Sequence, residues 1–132
     1  MTLTTLYNIA QIDNIPVFSF DMVACESMSL LESGNCYIAI DPFKIKSIYD
    51  EKVKLAHELG HCETGAFYNV YAVCDIRQKH ERRADKWAIK KLVPEDELKE
   101  ACKWCNNLWE LSQHFEVTED FMQKALDYYR GN

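Results

Sequence analysis

Apolar and polar positions change their period along this chain, and the changes mark out its elements. Leu3 to Ile12 keeps a helical spacing and exits through Asp13-Asn14-Ile15-Pro16, after which Val17 to Met22 alternates as a strand does. Ser27 to Leu31 predicts a second strand, Glu32-Ser33-Gly34-Asn35 a turn, and Cys36 to Ile40 a third strand stopped by Asp41-Pro42. From Lys52 to Glu63 there is no proline and one glycine, with Leu55, Leu59 and Cys62 on one helical face. A further helix is expected from Glu81 to Leu92. Leu108 to Phe115 and Val117 to Tyr129 read as two short helices, the second capped by Thr118. The expected fold class is α+β: a small three-stranded antiparallel sheet packed with helices, followed by C-terminal helices. Trp104, Trp109, Tyr128 and Tyr129 are expected in its core.

The chemistry concentrates on the face of the central helix opposite Leu55 and Leu59. His57-Glu58-Leu59-Gly60-His61 is an H-E-x-x-H sequence, with two imidazoles one turn apart and a carboxylate between them. Side chains at i and i+4 share a helix face, so both rings can meet one tetrahedral zinc ion at about 2.0–2.1 Å. Glu58 lies about 100° round the helix. From there it can take a proton from a water that the ion activates without itself becoming a ligand.

Hydrolysis at such a site needs a third protein ligand and an open fourth position. A histidine six residues beyond His61 would mark a metzincin, but Phe67 stands there. The helix carrying Glu81-Arg82-Arg83-Ala84-Asp85 offers a better source. Glu81, Ala84, Asp85, Ala88 and Leu92 form one stripe, whose alanines allow close approach to the first helix and bring Glu81 to the ion. Asp85 is then expected to accept the other ring N–H of His57, fixing its tautomer. His80 competes as third ligand, although it points about 100° away from the stripe. The alternative is that Glu81 and Asp85 belong to an exposed charged face with Arg82, Arg83 and Lys86. Tyr68, Tyr71, Arg77 and His80 are all candidates for the donor to a developing oxyanion.

Two segments, Ala56-His57-Glu58-Leu59-Gly60-His61 and Glu81-Arg82-Arg83-Ala84-Asp85-Lys86-Trp87-Ala88, make the chain resemble the ImmA/IrrE family of metallo-endopeptidases over about Asn35 to Pro94. Trp87 stands where that family usually has phenylalanine. The resemblance implies a zincin-like, gluzincin-type fold, one catalytic zinc ion held by His57, His61 and Glu81, and Glu58 as base. It also implies a role: prophage and mobile-element members cleave the helix-turn-helix repressor that keeps the element silent.

Size and charge fit one enzyme domain. The chain has 132 residues, 48% of them hydrophobic and 27% charged, and reads as a single zinc-peptidase domain with a core over 1–94 and a helical extension over 95–132. Its N-terminus lacks the basic and apolar regions of a signal peptide and no run is long enough to span a membrane, so a cytoplasmic protein is expected, in a bacterial cell or encoded by a phage. The six cysteines are accordingly expected as reduced thiols, and Cys102-Lys103-Trp104-Cys105 as part of a helical run rather than a metal or redox site. The last two helices have the look of a DNA-binding pair, but a net charge of −6 and the local run of Glu116, Glu119, Asp120 and Asp127 argue for packing or substrate docking instead. The expected partner is therefore a protein substrate, with neither nucleic acid nor membrane. Two competing readings are a metal-stabilised interaction protein without catalysis and a DNA-associated regulatory module.

Overall fold

The computed structural model describes residues 1–67 and 74–131, with the side chains of 74–77 excluded. Its elements are α1 (Leu3–Ile12), β1 (Val17–Ser19), β2 (Ser27–Glu32), β3 (Asn35–Ile40), α2 (Ile48–Thr64), α3 (Cys74–Leu92), α4 (Glu95–Ala101), α5 (Leu108–Phe115) and α6 (Glu119–Tyr129). The α+β class is as expected. No helix among the described residues is long and apolar enough to cross a membrane.

The sheet is mixed, not antiparallel throughout, with strand order β1-β3-β2. β2 and β3 form the expected hairpin, because Ser33 and Gly34 both take positive φ (52° and 80°), the backbone that a two-residue hairpin turn demands. β1 instead runs parallel to β3, with Val17 opposite Ile38 and Ser19 opposite Ile40. A parallel return needs a crossover of about a dozen residues or more. Here the 20–34 segment supplies it, carrying β2 past the central position so that β3 fills the middle. β3 belongs there because Ile38 and Ile40 bury against the helices.

Asp41 secures that crossover. Its fully buried carboxylate accepts from the amides of Met22 and Phe43, each at 3.0 Å, and faces Lys44 at 3.3 Å, while the Lys44 ammonium also donates to the Met22 carbonyl. The Met22 amide, with help from Phe43 and Lys44 against the cost of burial, holds the Asp41 carboxyl below the usual carboxylate range. A depressed carboxyl stabilises the fold fully above the unfolded pKa, about 3.9, and loses that contribution as pH falls through the folded value. Melting curves of the protein and Asp41→Asn should therefore be well separated at neutral pH and converge below about pH 4. A constant gap across that range would contradict the account.

The helices build one core on the inner face of the sheet, in which Leu6, Leu55, Leu59, Leu92, Val93 and Met122 are almost completely buried. α2 starts at Ile48, earlier than the apolar spacing alone suggests, because Ser47 caps it by accepting the Asp50 amide at 3.1 Å. Lys52 is buried beneath α5 and donates to the Phe115 carbonyl at 2.8 Å, satisfying an end-of-helix acceptor. α6 is joined to the end of α3 by Tyr129, whose hydroxyl donates to the Val93 carbonyl at 2.7 Å. Tyr128 and Tyr129 pack on the core, but Trp104 and Trp109 do not, being 72% and 58% exposed. Cys102 to Cys105 lies in the turn after α4, not in a helix, and both thiols are free.

Candidate metal centre

α2 and α3 cross so closely that backbone touches backbone. A Cβ on Gly60 would lie 2.5 Å from the Ala84 carbonyl oxygen, and Ala84 and Ala88 are fully buried at the crossing. The small-residue stripe read in α3 thus meets a glycine on α2, and Glu81 is carried onto the histidines.

The distances suit one ion. Ligand atoms about 2.05 Å from a tetrahedral centre stand about 3.3 Å apart. His57 Nε2 and His61 Nε2 are 3.2 Å apart, His61 Nε2 and Glu81 Oε1 3.2 Å, and His57 Nε2 and Glu81 Oε2 2.8 Å. One ligand atom from each of the three residues lies within 4.8 Å of the other two, and among the described residues this converging group does not include His80.

Protons decide what the cluster wants. His61 Nδ1 faces the Ala66 carbonyl at 2.5 Å, and His57 Nδ1 faces Asp85 Oδ1 at 2.8 Å. Both partners can only accept, so in the neutral form each ring carries its proton on Nδ1, and the Nε2 lone pairs then turn toward each other and toward a carboxylate. Three electron-rich groups converging on one point call for a positive charge between them, either a proton or a metal cation. The chemistry of this donor set, two neutral imidazoles and a carboxylate with room for a fourth partner, fits a divalent metal ion, and the group can hold one.

The local field agrees. Burial opposes a charge on His57, but Asp85 and Glu81 outweigh it and push the imidazole up to about 10. His61 is likewise raised against the cost of burial, chiefly by Glu81 and the Ala66 carbonyl. Bonds from His57 and His61 hold Glu81 far below the ordinary glutamate range. A field that favours a proton at this point favours a metal cation there as well.

Several contributors had no signal in the sequence. Ser27, at the start of β2, donates to Glu58 Oε2 at 2.7 Å, and the neighbouring Glu26 pairs with Lys54 at 2.9 Å, one turn before Glu58 on α2. Those two contacts pin β2 along α2. The Ala66 carbonyl reaches His61 because Gly65 ends α2 in the left-handed conformation (φ 67°), which turns the chain back. On the other side, Lys124 of α6 reaches Asp85 Oδ2 at 3.2 Å, so Asp85 bridges the last helix and His57. Tyr68, Tyr71 and the side chain of Arg77, considered as oxyanion donors, lie outside the described residues.

A groove of about 800 Å3 runs past this cluster, lined by Ser27, Leu30, Leu31, Glu58, Phe67 and Glu81 among others. Its wall is β2, which among the described residues pairs only with β3 and so offers the groove an open edge. The thiols expected to be reduced are not all so: Cys36 of β3 and Cys62 of α2 are joined as a disulfide, with Cα atoms 5.7 Å apart, a separation natural to that bond. Their 26-residue spacing carries no pairing signal, and only the packing of β3 on α2 brings them together. No protein-family model matches the chain, and no curated protein is significantly similar to it.

Proposed function

We propose that this protein is a zinc-dependent endopeptidase of the ImmA/IrrE type, zincin-like in fold, whose substrate is a helix-turn-helix repressor of a prophage or mobile element. One observation carries the metal assignment: each Nδ1 faces an acceptor outside the cluster, so the neutral rings present Nε2, together with Glu81, to one point. Zinc bound there would polarise the scissile carbonyl and lower the pKa of a water to about 7.

The chain's own residues supply the rest. Glu58 is 6% exposed and one of its oxygens is held by Ser27, leaving the other free to take a proton from the attacking water and pass it to the leaving amine. An extended peptide could add to the edge of β2 through backbone hydrogen bonds and run beside the two histidines. β3 is central in the sheet, so β2 is the strand that supplies this edge. Holding β2 engages only one Glu58 oxygen, and the second, beside the metal cluster, favours the enzyme over the interaction-protein reading.

Incubating the zinc-loaded protein with the repressor encoded beside its gene should yield discrete fragments, with cleavage lost on chelation and regained with zinc. An intact repressor under those conditions counts against the reading. The ion should also stabilise the fold: at a hundredfold excess over its dissociation constant the gain is about 2.7 kcal/mol, or about 8 °C in Tm for a domain of this size. Glu81→Ala should abolish that increment. A zinc-independent Tm in the unaltered protein would remove the metal site itself.

A further inference from the structure

The face of the sheet turned away from the helices is apolar where a solvated face would be polar. Phe18 and Phe20 are 53% and 62% exposed, Met28 and Leu30 40% and 49%, and with Tyr37 and Ala39 they surround a cavity of about 440 Å3. An apolar patch of this kind is costly to leave in water and marks a binding surface.

Its position says what covers it. Side chains alternate along β2, so Ser27, Ser29 and Leu31 turn to the metal side while Met28 and Leu30 turn outward. Met28 and Leu30 also line the groove beside the metal cluster, so the two concavities meet at the open edge of β2. A strand added there would lie about 4.8 Å beyond β2, with its own alternate side chains against Met28 and Leu30 and reaching the outer cavity. The side chains between them would face the small hydroxyls of Ser27 and Ser29. A lipid surface fits less well, because no Lys or Arg lines the cavity, Glu32 stands on its rim and the chain's net charge is −6.

We propose that the outer face of the sheet is a specificity surface for the segment that is cut, and that the protein selects extended segments carrying large apolar residues at every second position. The proposal rests on the peptidase reading and deepens it. It makes Met28 and Leu30 the first determinants of which peptide binds, with Phe18 and Phe20 closing the far side of the cavity, and it implies a substrate segment that has left its own folded core, since such residues are ordinarily buried.

A random dodecapeptide library tests this with the zinc-loaded protein, read by mass spectrometry. The cut peptides should be enriched in Leu, Ile, Phe and Met at two positions separated by one residue. In the double variant Met28→Ser/Leu30→Ser, kcat/KM for such peptides should fall about ten- to a hundredfold, expressed in KM, with zinc affinity unchanged. Because both side chains are exposed, the variant should fold. A cleavage profile that the double variant leaves unaltered overturns the proposal while the peptidase reading stands. If the unaltered protein cuts no library member, that reading fails, and peptides retained by Glu58→Gln report on the surface alone: retention that disappears in Glu58→Gln/Met28→Ser/Leu30→Ser upholds it, and no such loss overturns it. Sedimentation showing a dimer that Met28→Ser/Leu30→Ser dissolves would assign the face to a second copy of the chain and also overturn the proposal.

Discussion

Glu58→Gln should bind zinc nearly as the unaltered protein does and cut its substrate about 10²- to 10⁴-fold more slowly, the range that a positioned acid-base group contributes. The change is nearly isosteric, and the glutamine carbonyl can still accept from Ser27, so the side chain stays in place. What it loses is the ability to take a proton. His57, His61 and Glu81 are untouched, and Glu58 acts on the ion only through space, so affinity should stay within about an order of magnitude. Chelator competition measures the zinc and fragment yield measures the chemistry. Normal cleavage by this variant would show that the base lies elsewhere, and loss of zinc would show that Glu58 is a ligand or holds the site together.

Gly60→Ala should lose most of its zinc affinity, although alanine is the better helix former by about 1 kcal/mol. Propensity and geometry pull in opposite directions here, and the distances decide. The new methyl would sit 2.5 Å from the Ala84 oxygen, 3.0 Å from its Cα and 3.1 Å from its carbonyl carbon, all backbone atoms that no rotamer change can move. α3 must shift away, and Glu81, one turn before Ala84, goes with it. Overpacking of this kind costs about 1–3 kcal/mol, so the metal-free Tm should fall by about 3–9 °C. Zinc affinity should drop on the order of a hundredfold, similar to the loss of a group that orients a ligand. Glu81→Ala is the contrast: it should lose the ion while leaving the two helix backbones where they are, so that the circular dichroism spectrum is unchanged. Unchanged affinity in Gly60→Ala would mean that the helix crossing does not set the site.

The contributors to this centre differ in how plainly the sequence exposes them. His57, Glu58 and His61 are legible because one helical turn alone puts them together. Glu81 and Asp85 are legible at one remove, through Ala84 and Ala88, whose small side chains announce a close neighbour without naming it. Gly60 carries a similar hint, since a glycine inside a helix costs stability and usually has a packing reason. Ser27 and Lys124 could not be read this way: each meets its partner across more than 30 residues, and a lone serine or lysine has no pattern. The Ala66 carbonyl is backbone, invisible to residue identity. The parallel course of β1 escaped because strand periodicity tells which residues share a face, not which neighbour a strand chooses. Trp104 and Trp109 show the complementary failure, in which a residue type suited to the interior lies on the exposed side of its segment.

The bridge from Lys124 through Asp85 to His57 has a thermodynamic corollary. Coupling between two parts of a protein is reciprocal, so if the last helix steadies the imidazole for its ion, the ion must steady the last helix by an equal free energy. Amide hydrogens of α6, remote from any ligand, would then exchange more slowly in the loaded protein, and a chain shortened before Lys124 would lose that protection together with part of its grip on the metal.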